Sequence, residues 1–301
     1  MPNGILIVDK PAGWTSQDVA AKLRGVFHEK HVGHGGTLDP MATGVLPIFL
    51  GRATRAVPFF EHADKVYEAT LRLGLVTDTQ DVTGRILAAS PVDITQGQLE
   101  DALDRFRGEI LQIPPMYSAI KVNGKKLYAL ARQGKEIERR PRPVMIYELE
   151  MLCADGQCAS ADKRCLSLQS DVALRIHCSK GTYVRTLCHD IGAALGCGGC
   201  MAALRRTRAG RYGLDKAHTM EELLAAPDPE ALLLPVDSLF SDRPRCTINE
   251  AGEQKLRNGA RLRTGKLADG EYRVYGSSGE FLALCAVSAG ELRAIKSFFP
   301  V

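Results

Sequence analysis

Between His34 and Gly44 the chain reads His-Gly-Gly-Thr-Leu-Asp-Pro-Met-Ala-Thr-Gly, and no other stretch constrains the fold as tightly. Three glycines and a proline within eleven residues rule out a helix or a regular strand and leave a constrained loop. Asp39 precedes Pro40, which pushes its backbone into an extended conformation. Its neighbours Leu38, Pro40, Met41 and Ala42 are mostly apolar, and a carboxylate in such a setting is costly unless it has a partner or a task. A solvated Asp-Pro turn fits the same letters, and His34 alone reads equally well as an ordinary loop histidine. A His–Asp pair also serves hydrolases, but the chain has no Gly-x-Ser-x-Gly nucleophile turn to complete a triad.

Around this loop the hydrophobic periodicity switches between strand and helix. Gly4 to Val8 read as a short buried strand ended by the turn Asp9-Lys10-Pro11. Ser16 is placed to cap a helix carrying Val19, Leu23, Val26 and Phe27 on one face. Tyr67, Ala69, Leu71 and Leu73 alternate as a strand does, and Thr95 with Gln98 makes a capping box ahead of Leu99, Leu103 and Phe106. Val144 to Leu152 and Leu166 to Ile176 read as strands joined by a polar segment, and Val184, Leu187, Ile191 and Leu195 mark a helix that stops at Gly196. From Cys246 onward, short alternating segments broken by Asn-Gly, Asp-Gly and Ser-Gly turns predict a small, mostly β domain behind a linker at Ser241-Asp242-Arg243-Pro244. A length of 301 residues agrees with about two domains.

Charge is uneven. The chain carries a net +4, but Lys121 to Arg142 holds eight basic residues (Lys121, Lys125, Lys126, Arg132, Lys135, Arg139, Arg140, Arg142) against two acidic ones. Arg205 to Lys216 holds five more against one, which leaves the remainder at −6. Two basic segments on an acidic body are the footprint of a polyanion site. With 45% hydrophobic and 25% charged residues, the composition is that of a folded globular protein. No apolar run nears the ~20 residues of a membrane span, and the start MPNGILIVDKPAGW lacks the pattern of a signal peptide. The nine cysteines are therefore expected as reduced thiols in a cytoplasm.

A second constellation, Ser179-Lys180-Gly181-Thr182-Tyr183-Val184-Arg185, lies where a strand gives way to a helix. Arg185 there is able to pair with a buried carboxylate and hold it ionised, or to stand as a surface arginine at a helix start. Cys197-Gly198-Gly199-Cys200, near Cys188-His189, invites a metal reading, but the spacing fits no common site. No metal is expected. Cys153, Cys158 and Cys165 flank the polar segment irregularly and receive no role.

Four segments in order resemble the TruB family of bacterial tRNA pseudouridine synthases: VGHGGTLDPMATGVLPI (32–48), KVYEATLRLGLVTDTQDVTG (65–84), PPMYSAIKVNGKKLYALARQG (114–134) and CSKGTYVRTLCHDIGAALGCG (178–198). Leu204-Arg205-Arg206-Thr207 follows, and the final segment is more weakly similar to the PUA RNA-binding domain. The resemblance implies a mixed α/β (α+β) fold. A catalytic domain over 1–240 would be built around a largely antiparallel sheet, with a β-barrel-like PUA domain over 241–301. It implies isomerisation of uridine 55 in the tRNA T loop, without cofactor, on a base flipped out of its stack. It makes Asp39 the nucleophile, Tyr67 the ring that stacks on the target base, Tyr183 the active-site tyrosine, Arg185 the partner of Asp39, and Leu204 a pocket wall. His34 matches the histidine that helps hold the flipped-out RNA. Gly35 stands where threonine is common in the family and Thr37 where alanine is frequent, with no change of reaction expected. Lys121, Lys125, Lys126, Arg139, Arg140, Arg205 and Arg206 are the expected contacts to the RNA backbone. The T arm of tRNA is the expected partner of a monomer that needs neither a membrane nor an obligatory protein partner. Two other readings share the scaffold: a non-catalytic RNA-binding or RNA-folding protein, and the guide-RNA-dependent enzyme of ribosomal RNA. The carboxylate set argues against the first, and the long basic insertion at 121–142, which the guide-dependent relative lacks, against the second.

Overall fold

A computed structural model describes residues 2–122, 124–152, 171–265 and 267–300. The chain forms two compact units, one of Met1–Pro40, Gly44–Glu61 and Arg211–Val301, the other of Met41–Thr43 and His62–Gly210.

In the first unit the strand Gly4–Lys10 runs antiparallel to Thr43–Leu50 and parallel to His218–Thr219, and Val32–His34 pairs with the far side of Thr43–Leu50. Both long strands are apolar on both faces, since Ile5, Leu6, Ile7, Val8, Val45, Leu46, Ile48, Phe49 and Leu50 are all buried. Such continuous apolar runs are those of strands covered on two sides. The helix Ser16–Val26 buries Val19, Ala20 and Leu23. Its cap is Thr15, not Ser16. Thr15 and Asp18 form a reciprocal capping box, which leaves the Ser16 hydroxyl for another use.

The C-terminal part of this unit is a five-stranded mixed sheet built from Arg245–Thr247, Gly270–Tyr275, Phe281–Ser288, Glu291–Ser297 and Leu262–Arg263. It is mostly β, as its turn-rich texture predicts, with a helix at Glu250–Arg257 that the alternation concealed. Asn249 starts that helix by accepting from Gly252 N–H. Phe240, buried just before the expected linker, packs against Phe59, Phe281 and Phe298. Arg52 and Arg55 donate to the carbonyls of Phe298 and Ser297.

The second unit holds a wholly antiparallel ladder in the order Gly199–Ala209, Lys65–Leu73, Asp171–Cys178, Arg142–Met151, Gly108–Gln112. Lys65–Leu73 is its second strand and alternates as expected, burying Tyr67, Ala69, Leu71 and Leu73. The helix Val184–Ala194 packs on Gly199–Ala209 so closely that a Cβ on Gly192 would lie 2.2 Å from Gly199 N. The polar segment with Cys153, Cys158 and Cys165, and the start of the strand expected at 166–176, fall outside the described residues.

Candidate active site

The Asp39 loop is pinned on both sides of the carboxylate. Ser16 Oγ accepts from Leu38 N–H at 2.8 Å and donates to Leu38 C=O at 3.2 Å. On the other side the Pro40 carbonyl accepts from Gly13 N–H at 2.8 Å and from Lys10 Nζ at 3.3 Å. Lys10 is completely buried and also donates to the carbonyls of Pro11 and Trp14. A buried ammonium spread over carbonyls holds a loop more firmly than neutral contacts do. Asp39 itself is half-buried between these anchors, and His34 is half-buried at the end of its strand. Gly35 leaves room for the packed rings, since a Cβ there would lie 2.4 Å from a ring carbon of Phe60 and force that ring to move. The aromatic wall thus fills the space a side chain at position 35 would need.

In the second unit Tyr67 is 8% exposed and stands directly opposite Arg206 on one side and Ile176 on the other. Leu204 faces Ala69 one pleat away, so Tyr67, Ala69, Leu204 and Arg206 share one face of the ladder. The structure therefore brings together Tyr67 and Leu204, which the sequence nominated separately. It corrects the reading of Arg206. That side chain is 1% exposed and hydrogen-bonds Tyr67, so it reaches no RNA phosphate. Burial draws its pKa down, and Tyr67 opposes that shift. Arg205, on the opposite face, is half-buried and donates to Thr43 Oγ1 at 3.4 Å. Lys65, two residues before Tyr67, is buried as well. Desolvation first, then Arg206, brings its pKa down to about 8.

Arg185 is 5% exposed and donates to Thr79 C=O at 3.2 Å and Tyr117 C=O at 2.9 Å, with Nε 3.9 Å from Asp81 Oδ2. Asp81, also buried, accepts from Thr79 Oγ1, Thr83 Oγ1 and Thr83 N–H through Oδ1. Thr186 Oγ1 donates to Gln80 Oε1 at 2.8 Å. A Cβ on Gly84 would lie 2.2 Å from Thr79 Oγ1, so this turn closes only with glycine there. Asp81 and Gln80 had no place in the sequence reading. The run Asp78-Thr79-Gln80-Asp81 held the signal, a polar cluster ahead of a Thr-Gly turn.

Tyr183 is the cap residue of Val184–Ala194 and is half-buried. Downstream of Gln112 the basic insertion forms a small hairpin, Lys121–Val122 with Lys125–Lys126, and a helix Leu127–Ala131 that buries Leu127 and Leu130. Lys121, Lys125, Lys126 and Arg140 are exposed. Arg139 is less available, being bound to Glu136 and the Pro114 carbonyl. Cys188, Cys197 and Cys200 are buried, and burial pushes the Cys200 thiol up to about 11, away from the thiolate that metal binding needs.

The model of the TruB family pseudouridylate synthase N-terminal domain matches residues 24–184, and that of the tRNA pseudouridylate synthase B C-terminal domain matches 185–241. The chain belongs to the TruB family of pseudouridylate synthases. It is 46% identical over 262 residues to the tRNA pseudouridine synthase B of Ralstonia pickettii (strain 12J), covering 86% of this chain and 80% of that one. Identity to the protein of the same name from Azoarcus sp. (strain BH72) is 43% over 293 residues, covering 97% and 93%. Among solved structures, that of a Cbf5-Nop10-Gar1 complex aligns with a TM-score of 0.72 at 26% identity, over 99% of this chain and 86% of that one. Membership makes the chain a pseudouridine synthase of mixed α/β fold. No described helix is long and apolar enough to cross a membrane.

Proposed function

We propose that this synthase isomerises uridine 55 in the T loop of tRNA, as a monomer without a guide RNA, with Asp39 as nucleophile. The bond from N1 of uracil to C1′ of the ribose breaks, the base turns, and C5 bonds to C1′. The C5 proton leaves and N1 gains one, so no electrons are exchanged and no cofactor is required. The observation that carries this reading is the Asp39 loop itself. Ser16, Lys10 and Gly13 hold the backbone of Leu38 and Pro40 on either side of Asp39, and a carboxylate on so anchored a backbone is preorganised for attack.

Tyr67 stacks on the target base and Leu204 walls the pocket. Arg185 partners the Asp39 carboxylate, Tyr183 serves as the active-site tyrosine, and His34 steadies the flipped-out RNA. Exposed Lys121, Lys125, Lys126 and Arg140 track phosphates and help offset the few kcal/mol of unstacking. The segment 241–301 is proposed as the PUA-like RNA-binding part, and the cytoplasm as the compartment. The exposed cations on the insertion, Lys121, Lys125, Lys126 and Arg140 among them, favour unaided tRNA recognition over guide dependence.

The test incubates purified protein with an unmodified tRNA transcript and no other RNA, and maps pseudouridine by chemical labelling. Conversion of the T-loop uridine alone is expected. Conversion only after a guide RNA is added would support the guide-dependent reading instead.

A further inference from the structure

Gln112 ends an edge strand, is 1% exposed, and plays no part in the reaction outlined above. Its amide meets both backbone groups of a single residue. Oε1 accepts from Tyr183 N–H at 3.0 Å, and Nε2 donates to Tyr183 C=O at 3.3 Å. This is the double contact a neighbouring strand makes, supplied here by a side chain 71 residues away. Tyr183 caps its helix in an extended conformation (φ −100°, ψ 107°), and that helix start has no side-chain cap. A helix terminus without a cap frays unless something else fixes it. Gln112 stands opposite Arg142, the last residue of the basic insertion, and five residues after Gln112, Tyr117 gives its carbonyl to Arg185. The root of the insertion is thus fastened at two points to the turn that presents Tyr183 and Arg185.

We propose that Gln112 is a positioning residue that sets the backbone of Tyr183, and through it the guanidinium of Arg185. The proposal rests on the placement of Tyr183 and Arg185 in the active site under the preceding heading. The amide works because it is both donor and acceptor at the right reach. Methionine fills the same volume with neither function, and asparagine keeps both functions but is one methylene short.

Single-turnover pseudouridine formation and tRNA affinity test this with wild type, Gln112→Met, Gln112→Asn, Arg185→Lys, and each Gln112 variant combined with Arg185→Lys. Both Gln112 variants are expected to lower the saturating rate at least about tenfold while affinity stays within about twofold. Each combined variant is expected to lose clearly less than the product of its two single losses, because both changes disturb one unit. A merely structural role predicts independent, multiplicative losses, and that result overturns the proposal, as does a wild-type rate in either single variant. Should Gln112→Met melt below the assay temperature, Gln112→Asn and its combination carry the same comparison. A loss in Arg185→Lys with none at Gln112 defeats only this proposal. An unaffected Arg185→Lys defeats the active-site assignment and the proposal with it.

Discussion

Thr15 and Ser16 are neighbours that the structure puts to different uses, and alanine at each position separates them. Thr15 closes the capping box of Ser16–Val26, and removing a cap of this kind costs about 1 kcal/mol of stability. The Ser16 hydroxyl, 1% exposed as a residue, instead holds both backbone groups of Leu38, next to Asp39. Ser16→Ala deprives a buried N–H and a buried C=O of that partner at about 1–3 kcal/mol each, so about 2–6 kcal/mol in all. The kinetic effect is more telling. Releasing Leu38 lets the Asp39 carboxylate shift, and a misplacement of about 1 Å is enough to cost about 100-fold in rate. Urea unfolding of each variant, paired with single-turnover assays on a T-arm hairpin where both are folded, measures the two effects separately. Thr15→Ala should keep a near-wild-type rate and lose the smaller amount of stability. Ser16→Ala should lose more stability and about 100-fold in rate. If Ser16→Ala is only as destabilised as Thr15→Ala and turns over like wild type, the tie between Ser16 and the catalytic loop is refuted.

Replacing Lys121, Lys125, Lys126 and Arg140 together with alanine should reduce the slope of log K against log salt for tRNA binding by up to about 3 to 4 units, without changing which uridine is modified. Buried Arg206 should not contribute, so Arg206→Gln should leave the slope unchanged, and a reduced slope in Arg206→Gln would contradict its burial. Lys65 has a pKa of about 8 in the folded chain against an ordinary 10.5, so between those values the unfolded chain holds more protons and stability rises with pH. Measured against Lys65→Met, wild type should gain unfolding free energy by up to about 1.4 kcal/mol per pH unit across that window, and a flat difference would refute the shift. Exhaustive chelation should leave turnover on a pre-folded RNA hairpin intact, whereas activity lost with removal of stoichiometric zinc would overturn the reading of Cys197 and Cys200.

What the sequence revealed was local. The Gly-Pro-rich loop at 34–44, the alternation through Tyr67 and the helix after Tyr183 were legible because each follows from backbone preference and period over a few residues. Leu204 joined Tyr67 only through strand pairing, yet its motif already marked it. The failures are long-range. Ser16 looked like a cap because its letter suits a cap, while Thr15 beside it suited the position equally and had Asp18 three residues on. Arg206 looked like a phosphate contact because it sits in a basic run, and only the register opposite Tyr67 shows it buried. Gln112 and Asp81 carry no periodic signal, since Gln112 acts through hydrogen bonds on Tyr183 and Asp81 through an ion pair on Arg185, partners far along the chain that no local pattern encodes. The helix at Glu250–Arg257 was hidden among strand-like segments, with the Asn249 cap as its one local sign.

Asp39→Asn tests the central claim most directly. The substitution keeps the shape of the side chain and removes the carboxylate, so the loop anchors at Ser16, Lys10 and Gly13 remain in place. Pseudouridine in a T-arm hairpin is measured by mass spectrometry after long incubation with stoichiometric enzyme, alongside RNA affinity. The account predicts no detectable product with affinity retained. Turnover by Asp39→Asn above about one percent of wild type, beyond what a lost nucleophile permits, would contradict it.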